Sequence, residues 1–137
     1  MPITHLHFNG DCTAAIALYE KAFNTKVDEI VTDNDYARNS GDKPTTSSRI
    51  AHARMKIHGH TIMLNDRTDF ANTNKSTSGA THLIVQFASV EELFMCYEIF
   101  KDSCTVVDPF VKTFYSEMVG NFMDKFGVMW GFMVGGG

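Results

Sequence analysis

Asp124-Lys125-Phe126-Gly127-Val128-Met129-Trp130-Gly131-Phe132-Met133 is the stretch whose reading decides the fold. Gly127 stands where a tight turn requires positive φ, and the Asp124 carboxylate is spaced to accept hydrogen bonds from the turn's own backbone. The run that follows is short and almost wholly apolar, the pattern of a strand buried on both faces. Such a strand belongs in the middle of a sheet, because an edge strand this apolar would invite aggregation. The chain before it must therefore supply its neighbours.

Upstream, residues 81–87 read as a strand. Ser89, with Glu92 three residues on, is a capping-box signature that opens a helix at Val90. Leu93, Phe94, Tyr97 and Phe100 give that helix its apolar face. Residues 105–107 read as a brief strand, Pro109 sits in a connection, and residues 114–122 read as a further strand interrupted at Gly120.

The first half of the chain spells the same order. In a strand over residues 3–8, Leu6 and Phe8 share one face, and His5 and His7 the other. Asn9-Gly10-Asp11 breaks the run, with Asp11 as the expected N-cap of a helix over residues 12–23. Ala15, Ile16, Tyr19, Ala22 and Phe23 recur there at helical spacing, and Asn24 suits the left-handed conformation that ends a helix. A strand over residues 26–31 comes next. Residues 32–48 are polar, carry Gly41 and Pro44, show no periodicity and read as a long exposed loop. From residue 49 to 57, Ala51, Ala53, Met55 and Ile57 alternate with His52, Arg54 and Lys56, a half-buried strand. His58-Gly59-His60 turns the chain into a strand over 61–64, closed by Asn65-Asp66, and residues 67–79 read as loop. Both halves thus read strand, helix, strand, strand, strand. Two such units, each too small to bury its faces alone, predict an α+β fold of paired βαβββ modules, residues 1–78 and 79–137, within one domain.

Composition narrows the function. The net charge of −4 and the lack of a basic run offer no footprint for nucleic acid or an acidic membrane surface. No apolar stretch reaches the length of a membrane span, and the first residues lack the regions of a signal peptide, so a cytoplasmic protein is expected. Cys12, Cys96 and Cys104 are odd in number and too widely spaced for a zinc pattern, which fits a reducing compartment and buried thiols. Eleven Phe and eight Met either fill the core, the commoner case, or line an adaptable apolar cavity.

At residue level the chain resembles the PhnB-like branch of the vicinal-oxygen-chelate superfamily, which includes glyoxalase I, bleomycin-resistance proteins and extradiol dioxygenases. The motifs that carry the resemblance are Leu6-His7-Phe8-Asn9-Gly10-Asp11-Cys12 with Ala15-Ile16 and Tyr19, Ile50-Ala51-His52-Ala53, Ile57-His58-Gly59, Ile62-Met63-Leu64-Asn65-Asp66, Phe114-Tyr115, and the quoted stretch from Asp124 to Trp130. The resemblance implies a curved mixed sheet from each module, a cleft enclosed between them, and a homodimer, often with modules exchanged between chains. Metal-dependent members place one ligand on the first strand and one on the last strand of each module. Carried over here, those positions fall at Thr4, Met63, His82 and Gly131. Only His82 is a competent ligand for a borderline ion, so no metal and no cofactor are expected.

The favoured reading is a metal-free protein that binds a small apolar or aromatic molecule in the cleft, lined by Met63, His82, Phe114, Tyr115, Met129 and Trp130. The same residues could instead fill the core and dimer interface, with the Trp130 indole on a backbone acceptor. Whether the protein is an enzyme is left open. A glyoxalase-type lyase or dioxygenase would need a bound ion, or else a positioned base such as His82 or His52. A dimer with no small ligand is the remaining alternative.

Overall fold

The computed structural model describes residues 1–41, 47–68 and 81–135. Among them the elements run β1 (Thr4–Phe8), α1 (Cys12–Phe23), β2 (Glu29–Thr32), α2 (Asp33–Ser40), β3 (Ile50–Ile57), β4 (His60–Asp66), β5 (Leu83–Phe87), α3 (Val90–Phe100), β6 (Thr105–Val111), β7 (Val119–Met123) and β8 (Met129–Val134). The chain divides into two compact units, Met1–Thr73 and Asn74–Gly137. The boundary expected at residues 78 and 79 lies outside the described residues.

Each unit carries one four-stranded mixed sheet, and the two sheets have the same topology. The orders are β1-β4-β3-β2 and β5-β8-β7-β6. In each, the first and last strands of the unit pair in parallel and the remaining pairs are antiparallel. The apolar run after Gly127 is β8, which lies between β5 and β7, as a strand buried on both faces must. Gly127 has φ 89°, the left-handed value that the turn before β8 demands.

In the first unit α1 packs against β3 and β4. Its buried residues Cys12, Ala15, Ile16, Tyr19 and Phe23 share the core with the buried side chains of those strands: Ala53, Met55, Ile57, Ile62 and Leu64. Asn24 ends α1 with φ 49°. In the second unit α3 packs against β5 and β8. The core there is aromatic: Phe100 lies 5.1 Å from Phe122, 5.8 Å from Trp130 and 6.0 Å from Phe132, centroid to centroid. Each such ring, once buried, contributes about 2 kcal/mol. Most of the phenylalanine surplus is thus spent on core. Cys12 and Cys96 are buried with it, and burial pushes each thiol up to about 12.

One buried carboxylate pins each unit. Asp66 closes β4 and accepts backbone hydrogen bonds from Gly10 (3.0 Å), Cys12 (3.0 Å) and Ile50 (3.1 Å). It thereby ties the entrance of α1 and the start of β3 to the end of β4, while the guanidinium of Arg49 donates to its carbonyl at 2.8 Å. Asp11 does not cap α1 through its side chain; its Oδ1 accepts instead from the Asn9 amide at 3.2 Å. In the second unit Asp124 Oδ1 accepts from the amides of Phe126 (2.9 Å) and Val128 (3.0 Å), and its Oδ2 accepts from Trp130 Nε1 (2.9 Å). The indole partner is thus a side-chain carboxylate rather than a backbone carbonyl.

Four further expectations from the sequence need correction. Residues 33–40 form a helix, α2, where a loop was expected. Thr32 accepts from the Asp35 amide, the Asp35 side chain accepts from the Thr32 amide, and Gly41 stops the helix with φ 76°. None of its residues is buried, so it shows no apolar stripe. β6 runs through Pro109 as an edge strand with register shifts on either side of Asp108, positions where a missing amide is tolerated. Gly120 does not interrupt β7: a Cβ there would sit 2.5 Å from the Phe110 ring, so the glycine lets that ring lie on the sheet. Phe114 and Tyr115 precede β7 in the connection rather than lying in a strand.

Candidate functional site

Because successive side chains on a strand alternate between faces, the residues that do not face a helix can be read from register. In the second unit Trp130, Phe132 and Val134 face the core, which leaves Met129, Gly131 and Met133 on the opposite face of β8. Across from them on β7 lie Met123, Asn121 and Val119. Ile84 of β5 pairs with Gly131, Asn121 pairs with Gly131 from the other side, and Asp108 of β6 pairs with Asn121. One rung, Asp108–Asn121–Gly131–Ile84, therefore crosses all four strands.

Two hydrogen bonds run along it. Asn121 Nδ2 donates to Asp108 Oδ2 at 2.8 Å, and Asn121 Oδ1 lies 3.3 Å from Nδ1 of the half-buried His82. The second bond passes over Gly131. A Cβ at that position would stand 2.5 Å from Ile84 Cδ1 and 2.7 Å from Asn121 Oδ1. The bare α-carbon is what makes room for the amide.

The first unit has the corresponding rung, Glu29–Arg54–Met63–His5. Arg54 lies 3.6 Å from Glu29. Beside it, His7 Nδ1 is 2.6 Å from Asn65 Oδ1, and the His5 and His7 rings are 4.3 Å apart. Partial burial, and then the neighbouring imidazoles of His7 and His52, hold His5 below the usual histidine range.

These registers test the metal positions. Met63 and Gly131 occupy equivalent places, but the first-strand residues beside them are His5 and Ile84. Thr4 pairs with Ile62, one step off that rung. His82 precedes Ile84 by two residues, so its counterpart in the first unit is Ile3. A thioether, a bare α-carbon and an alkyl chain do not fit a hard or borderline cation. Among the described residues no group of three or more His, Cys, Asp or Glu is arranged to hold a metal ion.

The residues expected to line a ligand site fall in different places. Met63 lies half-buried on the first sheet's face away from α1, and His82 and Met129 lie on the second sheet's face away from α3. Trp130 is wholly buried against Phe100 and Phe132, with its indole N–H on Asp124, so its surface is used by packing. Phe114 and Tyr115 are exposed, with ring centroids 5.2 Å apart. They border a depression of about 420 Å³ with Lys112, Ser116 and Glu117, near the C-terminal ends of β5 and β8. His82 stands at the other end of β5, roughly 20 Å away along the strand. Sequence reading missed Asn121 and Asp108. A polar residue between Gly120 and Phe122 in an otherwise apolar strand is the signal that marks Asn121.

Residues 3–132 match the profile of the Glyoxalase/Bleomycin resistance protein/Dioxygenase superfamily. The chain belongs to this superfamily. The chain is 27% identical to protein YjdN of Escherichia coli (strain K12), over 95% of this chain and 92% of that protein. In structure it is similar to a PhnB protein from Bacillus cereus, with TM-score 0.79, 21% identity and 98% of each chain covered. Protein PA1353 from Pseudomonas aeruginosa gives TM-score 0.77 and 21% identity, over 98% of this chain and 96% of that one. The α+β fold is thus that of the glyoxalase/bleomycin-resistance superfamily, with PhnB-like structural neighbours. No described helix is long and apolar enough to cross a membrane.

Proposed function

We propose that this superfamily member binds a small apolar or aromatic molecule on the sheet faces turned away from its helices, without using a metal ion, and that it works as a homodimer in the cytoplasm. The observation that carries the reading is the pair Met63 and Gly131. At the equivalent corners where metal-dependent relatives keep ligands, this chain has a thioether and no side chain at all. Soft side chains (Met63, Met123, Met129, Met133) offer contact area that adapts to a planar ligand, and His82 supplies one oriented polar atom. Phe114 and Tyr115, beside their separate depression, are a secondary surface for the same kind of ligand. Trp130 supports the site from behind by fixing the turn before β8.

The test combines two measurements on untagged protein. Elemental analysis is expected to find no stoichiometric divalent metal, and planar aromatic compounds are expected to raise the melting temperature in proportion to ligand occupancy. Stoichiometric metal with chelator-sensitive turnover of a hemithioacetal or catechol would replace this reading with the lyase or dioxygenase one. A screen in which no compound stabilises the protein would leave only the dimer without a small ligand.

A further inference from the structure

The face of the first sheet turned away from α1 is basic, although the chain as a whole carries a net charge of −4. Ala53, Met55 and Ile57 of β3 enter the core, so alternation puts His52, Arg54 and Lys56 on the opposite face. Met63 of β4 pairs with Arg54 on one side and with His5 on the other, and Asn65 pairs with His7. The acid on this face is Glu29 of the edge strand β2, which pairs with Arg54. The acids of α2, which packs on β2, are engaged elsewhere: Asp33 with Arg49, and Asp35 with Thr32 and Arg38. Among the described residues, three imidazoles, a guanidinium and an ammonium therefore share this face with the carboxylate of Glu29.

The imidazoles are gathered rather than scattered. The His5 and His7 rings are 4.3 Å apart, and the 2.6 Å contact of His7 Nδ1 with Asn65 Oδ1 fixes the His7 ring and leaves its Nε2 for a second partner. Partial burial, and then the charges of His7 and His52, penalise a proton on His5. An anion seated among the rings opposes that penalty, so anion binding and proton uptake favour each other. Arg54 stays charged at every working pH, and its 3.6 Å contact with Glu29 is an exposed pair that a competing carboxylate displaces at little cost. Met63, between Arg54 and His5, offers a soft surface to a flat apolar body. We propose that His5, His7, His52 and Arg54 receive the anionic end of the ligand, so that the first sheet selects a planar aromatic carboxylate and takes up protons as it binds. The inference rests on the binding reading above and narrows it to one chemical class and one face.

The experiment titrates the full chain with 2-naphthoate and with 2-naphthamide, an uncharged probe of nearly the same shape. It is run at about pH 5.5 and about pH 8, above the usual carboxyl range and on either side of the ordinary histidine value. At the lower pH naphthoate is expected to bind about tenfold more tightly than the amide, and at the higher pH about threefold, because only Arg54 and Lys56 then remain charged. Calorimetry in two buffers of different ionisation enthalpy is expected to register proton uptake with naphthoate and none with the amide. Arg54→Gln is expected to remove most of the preference at the higher pH, and His5→Gln combined with His7→Gln to remove its growth on acidification. The side chains replaced are exposed, so the core stays as it is. Amide binding with no gain for naphthoate, or a gain that these variants leave untouched, would overturn the inference while the binding reading stands. A preference that ignores pH would overturn the part given to the histidines. Failure of both probes to bind would overturn the binding reading and take this inference with it.

Discussion

By register, Glu29–Arg54–Met63–His5 in the first unit and Asp108–Asn121–Gly131–Ile84 in the second occupy the same four places. An acid stands on the outer strand and its polar partner stands next to it, 3.6 Å away in one rung and 2.8 Å in the other. The third place separates them. Met63 carries a long thioether side chain there, whereas Gly131 leaves a gap through which the Asn121 amide meets His82. The difference teaches that in a duplicated sheet the loss of a side chain can create a polar connection as well as remove a ligand.

The largest effect should come from the buried carboxylate that pins each unit internally. Asp66→Ala removes the acceptor of three backbone N–H groups, and orphaning them should cost about 3–5 kcal/mol of stability. Asp124→Ala, which orphans two amides and the Trp130 indole, should cost about 3 kcal/mol. Urea denaturation measures both. A loss below about 1 kcal/mol in either would show that the two units are not pinned in the same way. Trp130→Phe comes next: it keeps an aromatic ring but loses the bond to Asp124 and some volume, and should cost about 2 kcal/mol.

A smaller effect tests a feature that, among the described residues, only the first unit possesses. Thr32→Ala breaks the box that starts α2 and should cost about 1 kcal/mol locally. Because α2 buries no residue, the loss should appear as faster amide exchange over residues 33–40 with little change in the global urea midpoint. The smallest effect concerns acid. A histidine whose folded pKa is depressed contributes stability that is present above its unfolded pKa, near 6.5, and is lost as pH falls through the lower folded value. His5→Gln should therefore flatten the fall in stability that sets in as pH drops below about 6.5. The effect is modest because His5 is exposed. If the wild-type and variant profiles coincide, the crowding of His5 by His7 and His52 has no energetic weight.

Much of the architecture was legible because apolar spacing is a strong local signal. The helix over residues 12–23, its stop at Asn24, the alternation from Ala53 to Ile57 and the centrality of the strand after Gly127 all follow from pattern alone. The helix α2 was hidden because its signal is polar: Thr32 with Asp35 at one end, Gly41 at the other, and no buried face between. The site was less legible. Which strand residues stand side by side is a matter of register, and a one-residue slip on β1 exchanges Thr4 for His5. All four strands of the second sheet had to be aligned before Asp108, Asn121 and His82 could be seen as neighbours.

Cys12 and Cys96 give each unit a chemical clock. Both sulfurs are enclosed, one beneath the Asp66 pin and one on the inward side of α3, and with thiols at about 12 almost none is reactive near neutrality. An alkylating reagent can reach either only after its surroundings have come apart. With Cys104 replaced by serine, the two modification rates can be followed side by side as urea is added. Matching rates would mean that the halves come undone as a single cooperative body, and diverging rates would mean that each keeps its own schedule.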